Sequence, residues 1–163
     1  MDEKKRTERS GRKETLLPNT LLTGFIGGLF WSLVGVIMSY FNFTEVSPRT
    51  YILRPWLRLA WTDGWIGDVI SILIIGIFSI VTALIYLVLF KKVYSMWMGL
   101  AFGAILWGIV FYLLQPIFPT VPSLPELNWN SILSTLCLYM LYGIFIGFTI
   151  SYNYQELKRQ PAE

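Results

Sequence analysis

The sequence contains no histidine and only one cysteine, Cys137. Without imidazole there can be no histidine metal site, no serine–histidine couple and no histidine proton relay. A single thiol cannot close a disulfide within one chain, and in apolar surroundings it is a poor nucleophile. Charge is scarce as well. Asp, Glu, Lys and Arg make up 14% of the 163 residues, against 55% hydrophobic residues. That balance belongs to membrane proteins rather than to soluble domains. The carboxylates, Glu45 and Glu126 among them, are scattered, with no metal-ligand spacing and no hydroxyl beside a credible base. No enzyme activity, cofactor or metal is expected from such a set.

What the chain does have is four long apolar runs, at 20–41, 66–90, 95–114 and 131–152. A hydrocarbon core about 30 Å thick needs about 20 apolar residues as helix, and each run reaches that length. None has a charge at its centre; Asp68 stands near the outer margin of the second. The expected fold is all-α: a four-helix transmembrane bundle running up-down-up-down. A polar basic tail at 1–19, a four-span domain at 20–153 and a second tail at 154–163 complete the division.

Ten of the thirteen basic residues fall before the first run, between the second and third, or after the fourth. If every run crosses, those segments share one side, which the positive-inside rule makes the cytoplasm. Both termini are then cytoplasmic. The first run is too long for a signal-peptide core, and bulky Tyr40, Phe41 and Phe43 follow it, so it is expected to stay as an anchor. Residues 1–15 mix basic with acidic groups and should be solvated, acting as a topology signal along the inner leaflet. No nucleic-acid partner is expected.

Small residues recur at four-residue spacing within the runs. Gly24, Gly28 and Ser32 mark the first, Gly99 and Gly103 the third, and Gly143 and Gly147 the fourth. Such faces let helix backbones approach closely in lipid. Ionisable residues near the spans gather on the outer side as Arg54, Arg58, Asp63 and Asp68. A structural ion pair accounts for that cluster, and a binding site for an anionic headgroup or solute is the sharper alternative.

The connections carry their own signals. Pro55 can open a short outer helix through Trp56 and Trp61, two residues that favour the headgroup level. Lys91 and Lys92 open a very short inner turn that predicts antiparallel contact between the second and third helices. Pro116, Pro119, Pro122 and Pro125 repeat at the polyproline II period, so 116–125 is expected to be extended and packed over the outer end. A hairpin repeat is also legible: Gly27 to Trp31 parallels Gly103 to Trp107, and Gly76 to Phe78 parallels Gly143 to Phe145. Parallel repeats of that kind occur in transporters.

The run Gly27 to Trp31, then Phe41-Asn42-Phe43-Thr44, Pro48-Arg49, Leu53-Arg54-Pro55-Trp56, Trp107, Pro116-Ile117-Phe118 and Leu141 to Gly147, resembles the YqhR family of conserved membrane proteins from Bacillus and related Firmicutes. The resemblance covers the membrane portion and implies a bacterial plasma-membrane protein. It implies no activity and assigns no functional residue. The expected role is that of a non-catalytic component, partnered by the bilayer and by another membrane protein, a copy of itself or a lipid. The alternative is a small transporter or lipid-handling protein. That alternative requires a polar interior, and Ser32, Ser71, Ser79, Thr82, Ser134, Thr135 and Thr149 are sparse for one.

Overall fold

A computed structural model describes residues 2–48, 64–90, 95–113 and 124–159, with side-chain detail between 16 and 156 of that set. Helix α1 spans Asp2–Tyr40, α2 Trp65–Phe90, α3 Met96–Gly108 and α4 Trp129–Arg159. Four helical stretches are long and apolar enough to cross a membrane: Leu16–Tyr40, Trp65–Phe90, Met96–Leu113 and Trp129–Glu156. The fold is all-helical, as the apolar runs predict.

Two helices run beyond their expected ends. Helix α1 has 39 residues and begins within the stretch assigned to a polar tail. At about 1.5 Å per residue it is almost twice as long as the hydrocarbon is thick. Pro18 lies inside it, where proline costs one backbone bond. That cost is bearable beside the headgroups, and Thr20 returns its hydroxyl to the Leu16 carbonyl at 2.8 Å. Helix α4 likewise continues two turns past residue 152.

Helix α3 widens into a π-helical turn at Ile109–Leu113. Gly108 and the β-branched Ile109 and Val110 make a weak stretch of helix ladder. Trp107 stacks on Phe111 across this turn, with centroids 5.2 Å apart. Helix α1 ends on Asn42 in the left-handed region, φ 59°. The Phe43 amide donates to the Met38 carbonyl at 2.9 Å and the Asn42 amide to Ser39 at 3.1 Å, a Schellman cap.

Close contacts fix the topology. Gly24 and Gly28 of α1 meet Ala83 and Gly76 of α2, so these helices run antiparallel. Gly99 and Gly103 of α3 meet Gly147 and Gly143 of α4, again antiparallel. Gly27 lies against Phe145 and Gly35 against Leu138, which sets α4 antiparallel to α1 and parallel to α2. The order is up-down-up-down.

The glycine faces of the first, third and fourth helices all meet neighbouring backbone, as their spacing predicts. They close two separate hairpins, α1 on α2 and α3 on α4. The second and third helices are antiparallel and in contact, as their short connection predicts, but the contact is not a close backbone approach. They share almost no backbone contact and meet through rings, Tyr86 and Phe90 against Phe102, at centroid distances of 5.0 and 6.1 Å. Bulky rings hold those axes apart, whereas glycines draw the other pairs together.

The glycines differ in how much they would tolerate. A methyl carbon on Gly103 would press on the Tyr139 carbonyl and stand 2.7 Å from the Met140 Cα, both backbone atoms that cannot swing away. On Gly35 it would find nothing nearer than 3.7 Å. Gly103→Leu should therefore lower stability by about 3 kcal/mol or more, while Gly35→Ala should change it by less than about 0.5 kcal/mol. Thermal unfolding of the two variants in one detergent measures the difference.

Candidate functional site

The interior is organised around Ser79 on α2. Its hydroxyl donates to the Gly24 carbonyl at 2.5 Å, which is open to approach because Gly24 carries no side chain. The serine proton being used there, the Tyr142 hydroxyl donates to Ser79 Oγ at 2.6 Å. One serine thus ties α1, α2 and α4 together. The surrounding buried cluster comprises Leu16, Ala83, Tyr86, Leu87, Phe102, Tyr142, Ile146 and Ile150, with Trp31 packed against it.

Three buried polar atoms have no hydrogen-bond partner among the described residues: Trp31 Nε1, Ser71 Oγ and Tyr86 Oη. Leaving such a group unmatched away from water costs about 1–3 kcal/mol. Tyr86 is fully buried, and its hydroxyl lies 2.9 Å from where a methyl carbon on Gly147 would stand. The Tyr86 hydroxyl therefore lies in the seam between α2 and α4.

A second polar group closes the end of the bundle where α1 and α3 finish and α4 begins. The segment after α1 turns back so that the Glu45 amide donates to Ser131 Oγ at 3.0 Å, and Asn128 donates to the Glu45 carboxylate. Thr135 returns its hydroxyl to the Ser131 carbonyl at 2.7 Å and accepts the Trp107 indole N–H at 3.1 Å. Val46, Phe111 and Leu127 form the apolar centre of this cap. Leu124–Glu126 is a single 3-10 turn, so the extended conformation expected through Pro125 does not reach that far. Proline suits the start of such a turn as well as it suits polyproline II, and Leu124 there packs on the cap.

Of the outer charge cluster, Asp68 lies in the first turn of α2 and is half-buried. Arg54, Arg58 and Asp63, like the outer helix expected at 55–61 and the proline row at 116–123, fall outside the described residues. Ser32 is buried but does not cross to a neighbour; it donates to Leu29 in its own helix at 3.1 Å. The hairpin repeat is not matched position for position in space: Gly28 abuts Gly76 as Gly103 abuts Gly143, whereas the sequence aligns Gly27 with Gly103. Gly28, rather than Gly27, therefore holds the place of Gly103.

Four apolar helices, capped at one end by a polar turn and tied in the interior by serine and tyrosine, define a small integral membrane bundle. The chain matches the family described as "Conserved membrane protein YqhR" across residues 1–163, and it belongs to that family. It is 44% identical over 138 residues to "Uncharacterized protein YqhR" of Bacillus subtilis (strain 168), covering 85% of this chain and 77% of that relative. No solved structure matches.

The Ser79–Tyr142 bond should carry measurable coupling. In a double-mutant cycle, Ser79→Ala and Tyr142→Phe are expected to be non-additive by about 0.5–1.5 kcal/mol. Unfolding of both single variants and the double variant in detergent gives the coupling energy directly. Additive losses would mean that the two hydroxyls act independently.

Proposed function

We propose that this membrane protein is a non-catalytic component that acts by binding another membrane protein or a lipid. The supporting observation is the outer face of α3. That helix packs chiefly on α4, leaving Trp97 79% and Ile105 56% exposed, with Ala101 beside them. A methyl carbon on Gly108 would meet nothing within 4 Å. In lipid, a small-residue face free of internal packing is where a second helix or an acyl chain can come closest.

Cross-linking in the native membrane, followed by purification, tests this reading. A reproducible partner should be recovered with the parent chain, and Gly108→Leu should reduce its recovery several-fold while leaving bundle stability within about 0.5 kcal/mol. The second reading, a small transporter or lipid-handling protein, draws on the two similarly closed hairpins and on Asp68 at the outer end of α2. It takes over if the chain purifies without a heterologous partner, Gly108→Leu has no effect and Asp68→Asn abolishes solute uptake into vesicles.

The distribution of Lys and Arg supports a plasma-membrane orientation with both termini in the cytoplasm. Reporter fusions at Glu163 and at Ser123 should then mark opposite sides of the membrane. The same side for both would mean that one span fails to cross.

A further inference from the structure

We propose that the α1–α2–α4 core contains an internal site for a hydrogen-bonding oxygen, that of water, built on Trp31, Tyr86 and the polar face of α2. This goes beyond the binding role above, since it concerns the interior and not the surface.

The pattern of α2 is the first support. Its polar residues are Asp68, Ser71, Ser79, Thr82 and Tyr86. At 100° per residue all five fall within one arc of about 80°. The positions that face away, such as Val69, Leu73, Ile77, Val81 and Val88, are exposed and apolar. Polar character has been sorted onto the inner side of a helix that otherwise reads as plain lipid-spanning sequence.

The second support is what those inner groups do. Several hydroxyls of the bundle, one of them on α2, are satisfied within their own helix. Thr20, Thr82 and Thr135 donate to the carbonyl four residues earlier, and Ser32 to the one three earlier. Ser71 does not, although it is 0% exposed. Tyr86, also 0% exposed, has a ring too long to turn back on its own helix. Trp31 packs against the same cluster as Tyr86, with its indole N–H buried and unmatched. The neighbouring hydroxyls are already engaged, Ser79 with the Gly24 carbonyl and Tyr142 with Ser79.

Chemistry then selects the occupant. An indole N–H can only donate, so whatever meets Trp31 must offer a lone pair. A tyrosine hydroxyl can donate or accept. Lipid tails provide neither function. Water provides both within the smallest volume, and buried waters characteristically serve such otherwise unmatched groups.

Nuclear magnetic resonance on the full chain in lipid nanodiscs tests the site without any substitution. Phe30–Trp31 is the only Phe-Trp pair in the sequence and Leu106–Trp107 the only Leu-Trp pair, so paired isotope labels assign both backbone amides, and correlations within each tryptophan carry the assignment to its indole N–H. Trp107 is the internal reference, because its N–H is held by Thr135. The Trp31 indole nitrogen is expected at a hydrogen-bonded shift, with a cross-peak to water and exchange into D2O about tenfold or more faster than Trp107. A hydrogen-bonded shift with cross-peaks to a lipid or co-purified organic molecule, and none to water, would keep an oxygen site but overturn water as its occupant. A free N–H shift, or a cross-peak from the Trp31 N–H to a tyrosine hydroxyl, would overturn the site altogether.

Discussion

Hydrocarbon tails are as apolar as leucine, so helices within a bilayer gain little by hiding side chains from their surroundings. What remains is contact, and contact is greatest where backbones touch. Gly24 and Gly28 on α2, and Gly99 and Gly103 on α4, bring backbones closer than any side chain would allow. The rest of the bundle depends on these approaches. They decide which helices pair, in which direction and at which register. The lipid-facing sides, rich in Leu, Ile and Phe, need only match the solvent.

Close approach also makes the polar chemistry possible. Ser79 is short, and it reaches the Gly24 carbonyl across the gap because no side chain stands between them. Once that bond takes the serine proton, Tyr142 has an acceptor and the second hairpin is tied to the first. The end cap follows another rule. There water is near, and the hydrogen bonds of Glu45, Asn128, Ser131 and Thr135 serve to turn the chain and dock it on Phe111 and Leu127. Interior and end polar groups therefore differ in kind: the first hold helices together, the second end them.

The parts legible in the sequence were those set by lipid itself. Run length alone announces four spans, and four-residue glycine spacing announces where backbones meet. The choice of mate was not legible, because a glycine face says that something approaches closely without saying what. Gly28 and Gly103 stand in faces of the same kind, yet each serves its own hairpin. The antiparallel contact of α2 with α3 was legible in their short connection, but its spacing was not, because Tyr86, Phe90 and Phe102 beside that connection set it. The end cap went unseen because its members lie far apart in sequence, Glu45 from Ser131 and Trp107 from Thr135. Only Asn42 carried a local signal, as a residue able to take positive φ directly after an apolar helix.

The arrangement of seams bears on the two functional readings. A hairpin repeated in parallel, if the bundle followed its two-fold relation, would make the α1–α4 contact equivalent to the α3–α2 contact. Those contacts are unlike. Helix α1 meets α4 through Gly27, with Phe145 seated on it, whereas α2 meets α3 only across aromatic rings. Transport by rocking two equivalent halves calls for seams that open and close in turn. Here one seam is close-packed and the other is spaced by side chains, and Ser79 locks the closed one to Tyr142. These unlike seams favour the binding role proposed above over transport by rocking halves. Any rearrangement would begin on the ring-spaced side, where little close backbone contact has to be broken among the described residues.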